Sequence, residues 1–209
     1  MRELENIYSG LKPNCDNLLC DGCTILSQSK PQHAYMDYEK LVPGPVLFLA
    51  DSFKHRHGKL SAFSKKDLAL IEGLYPEKAQ FSAAVKCPAV READMTPGNM
   101  KLCRQHLDAT IEKVKPRLVY VCGNLAMKML IKKSGITNKR GSSYEFTTSS
   151  GFSCIVVPIY HPFSVLKEPR HRYLFETDIK NAYEKYVLGK KATSNFSYVV
   201  ATTSEEVED

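Results

Sequence analysis

The sequence predicts an α/β fold: a three-layer sandwich with a mostly parallel central sheet flanked by helices. Two observations predict it. The run "PVLFLA" is continuously apolar and "RLVYVC" and "FSCIVVPIY" nearly so, as strands covered on both faces are. Between them lie segments whose apolar residues recur at helical spacing, so strands and helices alternate along the chain. A length of 209 residues fits one domain, placed at residues 1–190, with 191–209 as a peripheral or flexible tail that ends in acids.

The elements follow in order. The first 45 residues are irregular, with Cys15, Cys20 and Cys23 in "NCDNLLCDGC". The first strand, Pro45 to Ala50, stops at Asp51, and the polar stretch "DSFKHRHGKLSAFS" reads as a loop. "SKKDLALIEGLY" has helical spacing with Ser64 as N-cap, and "AQFSAAVKCP" is a second strand. Thr96 can cap and Pro97 can open a helix running to about Lys113. "RLVYVCG" leads into the helix "NLAMKMLIKKSG"; a weaker strand at 143–147, the strong strand ending at Tyr160, and a last helix near 171–188 complete the pattern. Active sites in such sheets lie at the carboxyl ends of strands, and Asp51 and His161 both follow apolar runs.

Composition narrows the function classes. No apolar stretch reaches the length of a membrane span, and "MRELENIYSG" has no signal-peptide core, so the expectation is a cytoplasmic protein. The net charge of +6 understates the body of the chain, because the last six residues hold four acids. An anionic partner such as nucleic acid is compatible with that balance. Seven cysteines in a reducing compartment point to buried thiols, metal ligands or catalytic groups rather than disulfides. Cys20 and Cys23 form a C-x2-C pair, and Cys87 and Cys103 lie at a strand end and early in a helix. Thiolates so distributed suit zinc or an iron-sulfur cluster, and spacing alone does not choose between them or exclude ordinary core cysteines.

The wording then becomes specific. "VKCP", "TPGNMKLCRQHLDATIEKVKPRLVYVCGNLAMKMLI", "GITNKRGSSYEF" and "VVPIYHPFSVLKEP" with "ETDIK" resemble, in order, the iron-sulfur uracil-DNA glycosylases, family 4 of that superfamily. The resemblance covers roughly residues 45–186. It implies a 4Fe-4S cluster of structural role on Cys20, Cys23, Cys87 and Cys103, with zinc as the alternative. Cys122 and Cys154 match no ligand and read as packing residues. The implied activity is monofunctional DNA base excision, carried out by a monomer on DNA. Lys54 is the lysine nearest the first motif, and nothing in the sequence marks it as a nucleophile.

The resemblance also assigns roles. His161, locked before Pro162, would stabilise the negative charge on the departing base. The segment after it would press into the duplex when a nucleotide is flipped, with Pro162, Ser164, Lys167, Arg170, His171 and Arg172 as DNA contacts. The first motif departs from family 4, which has Gly-Glu-Ala-Pro-Gly where this chain has "LADSFKH". Two registers are possible, at the family 4 glutamate or at the aspartate of the family 1 motif Gly-Gln-Asp-Pro-Tyr, which would put Phe53 at the tyrosine. Either makes Asp51 the acid of the site.

Base recognition departs too: Ala83 stands where an asparagine reads uracil, and Leu60 and Ser61, with Phe63 nearby, stand where a Pro-Phe stacks on it. Phe53, Ser61, Phe63 and Ala83 are therefore the candidate base contacts, in a pocket enlarged by small side chains and suited to a modified or damaged pyrimidine. The alternatives are a catalytically inactive DNA-binding or replication-associated module, and a zinc-bound regulatory protein.

Overall fold

In the computed structural model, the structure describes residues 23–25, 40–56, 59–75, 78–88 and 92–190. Expectations for Cys15, Cys20 and the tail 191–209 lie outside these residues. β1 (Val46–Arg56) is the central strand. It pairs in parallel with β3 (Gln80–Pro88) on one side and β4 (Leu118–Cys122) on the other. β6 (Ser153–Pro158) continues the parallel sheet beyond β4, and β5 (Tyr144–Thr147) closes the edge antiparallel to β6.

The continuous apolar run of β1 is explained by its two covered faces. Val46, Phe48 and Ala50 join one buried cluster with Leu68 and Ile71 of α1 (Lys65–Glu72), Val165 of α5 (Pro162–Lys167), and Phe175 and Ile179 of α6 (Arg172–Tyr186). Leu47 and Leu49 join a second with Leu107 and Ile111 of α2 (Pro97–Val114) and Leu125 and Ala126 of α3 (Asn124–Ile131), and Ile136 of the short α4 (Ile136–Lys139) packs against both clusters. Two helical layers enclose the sheet, as the alternation of strands and helices predicts. Among the described residues no helix is long and apolar enough to cross a membrane.

Local chemistry sets the helix starts. Ser64 and Asp67 form a capping box: Ser64 Oγ accepts from the Asp67 amide at 3.1 Å, and Asp67 Oδ2 accepts from the Ser64 amide at 2.7 Å. Thr96 Oγ1 accepts from the Asn99 amide at 3.2 Å, with Pro97 in the first turn of α2. α6 is tied to the sheet by the buried Tyr120 hydroxyl, which donates to the Ile179 carbonyl at 2.7 Å.

The structure corrects the end of β1. The strand does not stop at Asp51: it runs on to Arg56 and turns back as β2 (Lys59–Ser61), pairing Lys54 with Ser61, His55 with Leu60 and Arg56 with Lys59. The stretch read as a loop is a hairpin. Pairing with β4 ends at Ala50 opposite Cys122, whereas pairing with β3 passes Ser52 opposite Val85 and resumes at Phe53 opposite Pro88. β3 thus carries two extra residues, Lys86 and Cys87, in a bulge of the kind that re-aims side chains beside functional sites.

Connections leave β1 and β4 on opposite faces, since α1 belongs to the first cluster and α3 to the second. The crevice between their carboxyl ends is therefore the topological switch point of the sheet. Asp51 and Gly123 line it. Asp51 Oδ1 accepts from the amide of Ala126, in the first turn of α3, at 2.8 Å. A methyl at Gly123 would overlap that carboxylate, and the glycine holds φ +151, which other residues rarely adopt.

Two predictions follow from this packing. Gly123→Ala should cost about 3 kcal/mol in urea unfolding, and clearly less in an Asp51→Ala background where the overlap is gone; additive costs would show that the two groups do not collide. His106, on α2 and 1% exposed, is held at about 4 by burial and then by the Lys86 ammonium, against an ordinary 6.5. The unfolded chain takes that proton first, so this group should remove about 2 kcal/mol of stability between pH 7 and pH 5. Thermal midpoints over that range should fall less steeply in His106→Met.

Candidate functional site

His161 is delivered by β6. The strand's last pairings are Val121 with Pro158 and the Ile159 amide donating to the Val121 carbonyl at 3.0 Å, after which the chain turns into α5. Pro162 opens that helix and has no N–H to offer, so the Phe163 amide is the first donor available. His161 Nδ1 accepts from it at 3.1 Å, making the histidine the N-cap of α5. With Nδ1 used as acceptor, the neutral ring carries its proton on Nε2, which makes Nε2–H a hydrogen-bond donor.

The ring plane is held by Phe63, stacked on the imidazole with centroids 5.5 Å apart and planes at 23°. Phe63 in turn meets Phe81 of β3 edge-on at 5.7 Å. A rigid aromatic column thus runs from the core to the histidine.

Asp51 faces the same edge from the other side of β4. It is half-buried, and one carboxylate oxygen is tied to the start of α3. The positive end of a helix favours a negative group there. β1 and β6 flank β4, so the two backbones that carry Asp51 and His161 stand two strand spacings, about 10 Å, apart. Gly123, following β4, leaves the floor between them without a side chain.

The candidate base contacts are placed differently from expectation. Phe53 and Ala83 are fully buried, Phe63 is 1% exposed and Ser61 8%. Ala83 sits opposite Ala50 in the same core cluster as Phe53 and Phe63, so small size there does not open a pocket: neighbouring side chains fill the space. Phe63 is a support for His161 and presents no free face to a base. Lys86, which residue type alone did not single out, is also buried, its Nζ donating to Ser82 Oγ at 2.6 Å and lying 5.8 Å from the Phe53 ring centroid.

The candidate DNA contacts divide. Lys167, Arg170 and Arg172 are exposed and Ser164 is partly so. Pro162 is buried at the helix start, which makes it a backbone device rather than a contact. His171 is half-buried with its ring stacked 4.5 Å from that of Tyr160, so it braces the residue before His161 instead of facing outward. Arg170 pairs with Glu168 and Arg172 with Glu176, each at 2.7 Å, which leaves the segment less positive than its sequence reads. Three exposed apolar side chains were missed: Phe163 (48% exposed), Leu166 (46%) and Tyr173 (74%). The spacing of Phe163 and Leu166, three apart just beyond His161, was the available signal.

Of the cysteines, Cys23, Cys87 and Cys103 are buried and belong to the second core cluster. Asn99 Nδ2 donates to Thr24 Oγ1 at 2.9 Å, fastening the residue after Cys23 to α2. Among the described residues no three His, Cys, Asp or Glu side chains form a group able to hold a metal ion, and Cys20 lies outside them. Cys122 and Cys154 are packed into the core; burial pushes the Cys154 thiol up to about 12 and that of Cys122 well above its ordinary value.

Comparison with known proteins agrees with this architecture. The sequence pattern of the Uracil DNA glycosylase superfamily matches residues 47–193, well over half of the chain. A type-4 uracil-DNA glycosylase of Sulfurisphaera tokodaii is 28% identical over 131 residues, 60% of this chain and 59% of that protein. That of Archaeoglobus fulgidus is 28% identical over 132 residues, 61% of this chain and 65% of the relative. A DNA polymerase of Bacillus phage SP01 is 32% identical over 128 residues, 61% of this chain but 13% of the polymerase. The chain therefore spans less than two thirds of each of these relatives. With its sheet order, its strand-end histidine and this match, the chain belongs to the uracil DNA glycosylase superfamily, close to family 4.

Proposed function

We propose that the protein is a monofunctional DNA glycosylase that flips a nucleotide out of DNA and hydrolyses its N-glycosidic bond, leaving an abasic site. The observation that carries this reading is the His161 arrangement: an Nε2–H donor held by a backbone amide on Nδ1 and by the Phe63 ring. As the bond from C1′ to the base breaks, the sugar becomes cationic and the base anionic. Nε2–H donates to the base oxygen where that charge develops. Asp51, across the glycine floor, stabilises the sugar cation and positions a water. Its oxygen bonds to C1′, its proton leaves through Asp51 to solvent, and the released base takes up a proton.

The strands that carry the two groups stand about 10 Å apart with β4 between them, so Asp51 and His161 reach the same edge on either side of Gly123. Phe163 and Leu166, exposed beside His161, supply apolar surface for the space a flipped nucleotide leaves. Lys54 is exposed and Lys86 hydrogen-bonds Ser82, which supports attack by water rather than by a lysine. The protein works on DNA as a cytoplasmic monomer, with residues 1–190 as one domain.

The base is a modified or damaged pyrimidine rather than strictly uracil. What supports this is the side chain at Ala83, which has no amide to read the uracil edge; the burial of Ala83 removes the argument from room. A second reading, a catalytically inactive replication-associated module, is favoured by the similarity to a phage DNA polymerase.

The cysteines fit a structural 4Fe-4S cluster by their chemistry. Soft thiolates suit it, and Cys23, Cys87 and Cys103 share one buried cluster. Cys20 would be the fourth ligand.

Duplexes carrying uracil, hypoxanthine, glucosylated cytosine or modified thymines should show abasic-site formation with at least one modified pyrimidine. His161→Ala should lower it by about 100- to 1,000-fold and Asp51→Ala by a comparable factor. Release of uracil alone at high rate would refute the altered preference, and no release from any duplex would favour the replication module. Anaerobic purification should yield about four irons and four sulfides per chain. Stoichiometric zinc without sulfide would replace the cluster by a zinc site.

A further inference from the structure

The hairpin that sequence reading took for a loop has a position and a charge that the excision site does not use. β1 loses its partner β4 at Ala50 and its partner β3 at Phe53, yet continues through Arg56 paired with β2 alone. Residues 54–56 and 59–61 therefore form a two-stranded ribbon beyond the carboxyl edge of the parallel sheet, the edge that carries Asp51 and His161. Three residues of strand extend it by about 10 Å.

Charge is concentrated on it. Between Asp51 and Asp67 the sequence holds Lys54, Arg56, Lys59, Lys65 and Lys66, two histidines and no acid. Lys54 is exposed, and Lys54, Arg56 and Lys59 all lie on the ribbon backbone. Lysines on a strand edge also discourage edge-to-edge pairing, but that role needs no ribbon that runs past its neighbouring strands with Leu60 anchored in the core. On the far side of the site, by contrast, Arg170 and Arg172 are each engaged by a glutamate. The two sides of the edge thus differ in kind: an apolar helical segment beside His161 whose arginines are engaged by glutamates, and an acid-free basic ribbon leading out from Asp51.

We infer that the β1–β2 ribbon is a second DNA-contact surface, placing Lys54, Arg56 and Lys59 against backbone phosphates of the duplex that flanks the flipped nucleotide. Phosphates are the targets because a run of cations alone reads no sequence, and a two-stranded ribbon is narrow enough to lie along a duplex groove. The inference takes from the proposed function only that DNA is the partner. It concerns binding, not bond cleavage.

The test is binding of the full chain to a fluorescently labelled duplex without a substrate base, at salt concentrations between about 50 and 200 mM. Replacing the three cations together (Lys54→Gln, Arg56→Gln, Lys59→Gln) should weaken binding by tenfold or more and flatten the plot of log affinity against log salt by about 2–3, near 0.9 per phosphate contact. Arg56→Lys should keep the original slope. If the triple variant melts early, the single variants carry the test, each expected to take about 0.9 from the slope. An unchanged slope in a folded variant overturns the inference, as does a change confined to single-stranded DNA. Base release assayed separately keeps the two readings apart. A flattened slope in a protein that releases no base sinks the glycosylase and leaves the ribbon, and normal release with an unchanged slope does the reverse.

Discussion

Asp51 accepts the Ala126 amide at the start of α3, and the form of the carboxyl edge depends on that contact. It joins the central strand to the helix that follows the neighbouring strand, across the place where the sheet's connections diverge to opposite faces. The geometry demands a glycine at 123, since any side chain would enter the space of the carboxylate. With that space taken by the Asp51 carboxylate, β1 and the start of α3 are joined across the carboxyl end of β4, and β6 delivers His161 to the same edge.

The parts of this arrangement that were legible in sequence are those set by periodicity and by caps. Residues 46–50 of β1, β4 and residues 154–158 of β6 are apolar because both faces are covered, and Ser64, Thr96 and Pro97 mark helix starts by chemistry confined to one turn. The ribbon was not legible for the opposite reason. Residues 54–56 pair with β2 past the other strands of the sheet, and "KHRHGK" carries no apolar alternation that would tell a paired strand from a loop.

Candidate site residues were legible by identity but not by direction. His161 follows the end of β6, and Asp51 lies within β1 just past its last pairing with β4, whereas Phe63 and His171 turn inward. Phe63 stacks beneath the imidazole and His171 on Tyr160, contacts between residues far apart or separated by a turn, which no local pattern encodes. Ala83 was read as an opening because it is small; in a close-packed sheet, small size at one position is matched by larger neighbours, here the phenylalanines of the same cluster. The glutamate partners of Arg170 and Arg172 lie two and four residues away and were visible all along, but a count of cations gave them no weight.

What unites the two sides of the crevice is that each polar group is held by a helix start. The Ala126 amide takes one oxygen of Asp51, and the Phe163 amide takes Nδ1 of His161. Each bond selects the protonation form that base excision would use. An amide donor at a helix N-terminus favours a carboxylate over a carboxylic acid. A proton on Nδ1 would set two N–H groups against each other, so the histidine keeps its proton on Nε2, facing away from the helix. The fold therefore orients both groups before any ligand arrives, using backbone donors that the first turns of α3 and α5 would otherwise leave unsatisfied. Reactive geometry and helix capping are here one set of hydrogen bonds, so neither group can be repositioned without loosening a helix that encloses the core.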